Sequence, residues 1–129
     1  MISAQMKQVR SRVLVAEDNP LNYELVRDLL DARRHEVEWA RDGEEALELA
    51  GSGRFTLLLL DLHMPKLDGL EVVRAVRANP PSNPLKVIAL TADAMVGVRE
   101  DLFAAGVDGY LSKPLELAAL ITEMEAVGA

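Results

Sequence analysis

Apolar positions along the chain fall into two rhythms that take turns. "RVLVAED" (Arg12–Asp18) is a short apolar run ending in two acids and reads as a strand. In "LNYELVRDLLDARR", Leu21, Leu25, Val26, Leu29 and Leu30 recur at intervals of three and four, which predicts a half-buried helix with those residues inward. Asn19 and Pro20 supply its start, an N-cap and a first helical position. "HEVEWA" predicts a second strand with Val37 and Trp39 on one face. Asp42-Gly43 then turns the chain into "EEALELAGSG", a short helix stopped by Gly51 and Gly53. "FTLLLLD" predicts a third strand, "DGLEVVRAVRA" a third helix with Asp68 placed to cap it, and "NPPSNP" a loop. "KVIALTA" and "GYLSK" are the fourth and fifth strands. Between them "DAMVGVREDLFAAG" makes a helix ending at Gly106, and "PLELAALITEMEAV", with Pro114 at its start, makes the last one.

Strands that alternate with helices imply a parallel sheet covered on both faces. A continuous run such as "LLLL" fits, because both faces of a central strand in such a sheet are buried. The predicted fold is therefore an α/β domain, a doubly wound five-stranded parallel sheet flanked by five helices. No internal repeat or linker divides the chain, so residues 12–129 are read as one domain and residues 1–11 as a flexible extension. Ligands of such sheets bind beyond the carboxyl ends of the strands, where the winding reverses.

Composition narrows the classes. Aromatic residues are limited to Phe55, Phe103, Tyr23, Tyr110 and Trp39, so the core must be aliphatic. The absence of cysteine excludes disulfides and thiolate metal sites and fits a reducing compartment. A formal charge of −7 without a basic stripe argues against direct binding to nucleic acid. No apolar run approaches the roughly 20 residues of a membrane helix, and "MISAQMKQVRS" lacks the apolar segment of a secretory signal. A soluble, cytoplasmic protein without membrane contact is expected.

Polar groups gather at one edge of the predicted sheet. The first strand ends in Glu17-Asp18, the third in Asp61, the fourth at Thr91 and the fifth at Ser112-Lys113. In the common strand orders of this class the first and third strands are adjacent or nearly so, which would bring three carboxylates together. At about 4 Å and an effective dielectric near 20, each like-charged pair repels by roughly 4 kcal/mol. Such a cluster calls for a cation, and magnesium, with its preference for oxygen ligands and phosphate, suits it. His35 and His63 are too far apart in sequence to suggest a zinc pair and read as surface or packing residues. Lys113 and the Thr91 hydroxyl add positive charge and a short-range donor, completing a cradle for a phosphoryl group with a carboxylate as possible nucleophile.

With these residues in view the chain resembles a two-component response-regulator receiver domain (CheY-like) from about Arg12 to its end. The matching segments are "LVAEDN", "LLLLDLHMP" with "DG", "ALTA", "AGVDGYL" and "KP", in this order and spacing. The resemblance implies the flavodoxin-like strand order 2-1-3-4-5. It implies that Asp61 accepts a phosphoryl group from a sensor histidine kinase or histidine phosphotransfer protein, making the chain a phosphorelay switch rather than an enzyme. It implies Mg2+ on Asp18, Asp61 and the backbone carbonyl of His63, with Glu17 held through water. Thr91 and Lys113 would bind the phosphoryl oxygens, Tyr110 would be the switch aromatic, and Lys113-Pro114 would be a cis peptide. The surface around the fourth helix, fifth strand and fifth helix would then control a protein partner, with the domain a monomer or weak dimer.

Some positions depart from the usual pattern or leave choices open. Glu17 stands where Asp is also common, and Arg34 stands where many relatives end the first helix with glycine, so a looser C-cap is expected there. His63 and Asp93 flank the path of the hydrolytic water and should tune the lifetime of the phosphorylated state. With no output domain after the fifth helix, the chain is read as a stand-alone regulator or a module of a larger hybrid kinase. Met95, Val96 and Val98 are candidates for an exposed apolar docking patch, or for core. Three competing classes are a receiver-like module that is not phosphorylated, a metal phosphohydrolase and a flavin-binding domain. The first usually lacks an acid, the lysine or the hydroxyl. The second usually has an aspartate where His63 stands, and the third needs a phosphate loop where "EDNPLN" would repel phosphate.

Overall fold

The computed structural model describes residues 11–82, 84–92 and 98–128. Five strands, β1 (Arg12–Ala16), β2 (Glu36–Ala40), β3 (Leu57–Asp61), β4 (Lys86–Thr91) and β5 (Gly109–Ser112), form one sheet. Every pairing is parallel and the order is 2-1-3-4-5. The helices are α1 (Pro20–Ala32), α2 (Gly43–Ala50), α3 (Gly69–Ala78), α4 (Val98–Ala105) and α5 (Leu117–Val127). The doubly wound parallel sheet is as the alternation predicts and the flavodoxin-like strand order is as the resemblance implies, and no described helix is long and apolar enough to cross a membrane.

Strand residues send alternate side chains to opposite faces, and two cores follow. Leu14, Leu58, Leu60 and Val87 pack under α2, α3 and α4 with Ala46, Val72, Val76 and Leu102. Val13, Val15, Leu57, Leu59 and Ile88 pack under α1 and α5 with Val26, Leu30, Leu120 and Met124. The four leucines of β3 are therefore shared between two cores, two on each side, and all are fully buried.

Local chemistry fixes where the helices begin. The Asn19 Oδ1 accepts from the Leu21 and Asn22 amides, with Pro20 as the first helical residue. Asp42 caps α2 by accepting from the Glu45 amide, and Glu45 reaches back to the Arg41 amide. Asp68 caps α3 through the Glu71 amide.

Two expectations need correction. Leu21 and Leu25 do not face the core: they are 70% and 59% exposed, and the inward stripe of α1 is Tyr23, Val26 and Leu30. The tyrosine ring, stacked on Trp39, takes the place the leucines were expected to hold. Pro114 does not open α5, which starts at Leu117 after an extended Glu116. The chain needs that extended stretch to pass from the sheet edge onto the α1 side. Met95, Val96 and Asp93 lie outside the described residues; Val98 is half-buried and packs on the α2–α4 core. Residues 1–10 likewise lie outside them.

Candidate functional site

The register of the sheet brings the strand-end residues together. Ala16 pairs with Leu60, so the chain beyond them places Glu17 alongside Asp61, and Asp61 itself pairs with Leu90. This is the point where the winding reverses, since β2 and β3 lie on opposite sides of β1. Glu17, Asp18 and Asp61 each offer a carboxylate oxygen within 4.8 Å of the others. Asp61 and Glu17 are 1% and 4% exposed, whereas Asp18 faces solvent.

Lys113 answers this charge. Its Nζ lies 2.8 Å from the Asp61 Oδ2 and 3.5 Å from the Glu17 Oε1. Burial alone would pull the ammonium's pKa down, but the hydrogen bond and charge of Asp61, with the charge of Glu17, outweigh it and hold it above 10.5. Glu17 moves the other way from the usual carboxylate: desolvation first, then its hydrogen bond to Asp61, raise it from 4.5 to about 7, although the Asn19 amide and Lys113 oppose the shift. The remaining Asp61 oxygen, Oδ1, accepts from the His63 amide at 3.0 Å, so the backbone at residue 63 lies against the carboxylate.

The other predicted residues fall around this centre. Thr91 is buried at the end of β4, and its carbonyl accepts from the Lys113 amide at 2.7 Å. Lys113-Pro114 is cis. Tyr110 is half-buried against the α2–α4 core, with its amide donating to Glu123 of α5. The His63 side chain faces solvent. His35 is buried with its Nδ1 2.7 Å from the Ser11 Oγ, a packing residue as expected. A groove of about 300 Å³ opens beside Glu17 and Lys113, bounded by Leu25, Pro114 and Leu117. A second, of about 270 Å³, lies beside Thr91, His63 and Asp68.

Sequence reasoning missed the contacts that hold the site's backbone. Trp39 donates its indole N–H to the Glu17 carbonyl at 2.7 Å. Arg77 holds the Leu85 and Gly106 carbonyls and the Asp108 carboxylate, fixing the turn that leads into β5. Gly43 packs so closely under Leu67 that a Cβ there would collide with the Leu67 carbonyl. The lone tryptophan at a strand end was a signal for the first; nothing local marks the other two.

Comparison with known proteins gives a consistent picture. Residues 13–125 match the family model of the response regulator receiver domain. The chain is 38% identical over 114 residues to the polar-differentiation response regulator DivK of Brucella anthropi, covering 88% of this chain and 93% of that protein. It is similar to the crystal structure of the receiver domain of sensor histidine kinase PA1611 from Pseudomonas aeruginosa, which has a magnesium ion in its active-site cleft. That match has 33% identity and a TM-score of 0.79, covering 92% of this chain and 98% of that one. The Saccharomyces cerevisiae receiver domain of Ssk1, solved with the histidine phosphotransfer protein Ypd1, matches at 27% identity and a TM-score of 0.79, over 88% of this chain and 86% of that one.

Proposed function

The chain belongs to the response-regulator receiver family, and from that footing we propose that it is a phosphorelay switch whose phosphoacceptor is Asp61. One observation carries the reading: a carboxylate only 1% exposed sits at the sheet's carboxyl edge, 2.8 Å from a lysine and among two further acids. Buried carboxylates coupled to a lysine in this way cluster at functional sites.

The donor set fits magnesium. All the candidate ligands are hard oxygens, and three carboxylates against one ammonium leave negative charge for a dication to balance. Asp18, Asp61 and the His63 carbonyl would hold it directly, with Glu17 through water. When bound it would neutralise charge building on the phosphoryl oxygens.

The chain's own residues do the rest. An Asp61 oxygen attacks the phosphorus of a phosphohistidine presented by a sensor kinase or histidine phosphotransfer protein. The new P–O bond forms as the P–N bond breaks, and the imidazole leaves with the bonding pair. Lys113, already in contact with Asp61, shifts its ion pair to the phosphoryl oxygens, and the Thr91 hydroxyl turns toward them. Charge-assisted hydrogen bonds contribute roughly 1.5–3 kcal/mol each; Lys113 exchanges a contact it already makes with Asp61, so the Thr91 contact is the one new to the closed state and supplies roughly that amount. A shift from 1:99 to 99:1 takes about 5.5 kcal/mol. The Thr91 contact therefore supplies part of that shift, biasing Tyr110 inward and the α4–β5–α5 face toward the form that a protein partner completes by binding it. The donor must reach Asp61 from outside the sheet edge. Leu25, which lines the groove at Glu17 and Lys113, and Leu21, exposed one turn earlier on the same helix, suit its docking.

Incubation with magnesium and acetyl phosphate tests the reading by intact mass. One phosphoryl group per chain, absent without the metal and abolished by Asp61→Asn, is the expected result. Steady turnover of phosphate esters without a labelled chain would overturn it in favour of a hydrolase.

A further inference from the structure

Trp39 packs its ring on Tyr23 of α1, but its indole N–H makes a contact that this packing does not require. It lies one residue before the end of β2, and its indole N–H donates to the Glu17 carbonyl at 2.7 Å. The Glu17 amide donates in turn to the Ala40 carbonyl at 3.0 Å, so the end of β2 grips residue 17 through both of its backbone groups. The indole is itself held by two side chains. Tyr23 stacks on it at 4.3 Å between ring centroids and 4° between planes, and the Arg41 guanidinium lies 4.4 Å from its centroid.

The Glu17 carbonyl belongs to the peptide plane joining Glu17 to Asp18. Fixing that plane fixes the direction in which the backbone enters Asp18. The next residues are pinned as well: the Asn19 amide donates to the Glu17 Oε2, and the Tyr23 amide to the Asn19 carbonyl. Segment 17–23 is thus anchored by an indole, a strand end and a helix cap before any ion arrives. Mutual repulsion of three carboxylates would otherwise spread them apart, and an ion would have to bear the cost of ordering them.

We propose that Trp39 is a positioning residue for the divalent-cation site, its indole N–H holding the Glu17–Asp18 peptide plane so that both carboxylates are set for the metal. The proposal rests on the metal reading above. Partners that orient metal ligands through a hydrogen bond commonly matter by about tenfold in affinity.

Trp39→Phe tests it, since phenylalanine keeps a six-membered ring for Tyr23 and removes the donor with the pyrrole half of the indole, a loss of packing for which Tyr23→Leu is the control. Magnesium titration by calorimetry should show affinity weakened about three- to tenfold, with the metal-free melting temperature lowered by a few degrees as the Glu17 carbonyl loses this donor. Arg41→Gln and Tyr23→Leu, which loosen the stack but keep the N–H, should bind magnesium within about twofold of wild type. Unaltered affinity in Trp39→Phe overturns the proposal while leaving the metal site standing. Equal weakening in Tyr23→Leu also overturns it, because ring packing rather than the donor would then be responsible. Failure of the wild type to bind magnesium removes the metal reading and this one together. Should Trp39→Phe not fold, the wild type decides: the chain's one tryptophan gives a single indole N–H resonance. That resonance must shift along the magnesium titration, and a stationary signal at saturation overturns the assignment.

Discussion

Burial and the Asp61 carboxylate raise Glu17 from 4.5 to about 7, so near neutrality a proton and a dication compete for one corner of the site. Without metal the folded chain holds this proton more tightly than the unfolded chain does. The stability it contributes is therefore full below about pH 4.5 and is lost as pH rises through about 7. Metal binding has the opposite slope. Magnesium affinity should rise about tenfold between pH 6 and pH 8, as calorimetry would show, and Glu17→Gln should flatten that rise. Denaturant melts of the metal-free wild type should show stability falling over the same range. Asp61, Glu17 and Lys113 were legible as single residues because each ends an apolar strand with a charge. Trp39 stood out as the lone tryptophan at a strand end, but its contact was not legible, because the partner lies 22 residues earlier and only the β1–β2 pairing brings the two together.

Helix α1 ends at Arg33-Arg34 rather than at a glycine, yet its C-cap is complete. The Arg34 amide donates to the Asp31 carbonyl and the His35 amide to the Leu30 carbonyl, with Arg34 at φ +66°. The cap is strained rather than loose, a distinction that depends on a backbone angle and not on the residue's identity. Arg34→Gly should stabilise the protein by about 0.5–1 kcal/mol in urea unfolding, with no change in magnesium affinity. Arg77 acts between elements: from α3 it holds the carbonyls before β4 and before β5, while the Asp108 carboxylate it pairs with also accepts from the Val87 amide. Arg77→Ala should cost about 2 kcal/mol by denaturant melt, since these acceptors lose a shared donor. Periodicity marked α1 correctly as a helix and misassigned Leu21 and Leu25, because an aromatic pair formed with β2 settles which stripe turns inward.

The loop after Asp61 and the start of α2 are locked together although they are distant in the chain. The Gly43 amide donates to the Pro65 carbonyl, Lys66 pairs with Asp42 at 3.3 Å, and Lys66 takes φ +74° to let the loop fold onto the helix. A Cβ at residue 43 would drive into the Leu67 carbonyl. Gly43→Ala should cost about 1–3 kcal/mol and weaken magnesium binding by displacing the backbone at residue 63; thermal melts and calorimetry would read both. The sequence by itself determined the succession of strands and helices, the parallel doubly wound sheet, and the edge at which its acids, hydroxyl and lysine collect. These follow from local periodicity and from the alternation of element types, which any stretch of chain carries within itself. Tertiary structure alone decided which oxygen of Asp61 meets Lys113 and which meets the residue 63 amide, how far burial lifts Glu17, and which indole steadies it. Those depend on register and packing between segments far apart in sequence, where a displacement of an ångström changes the partner.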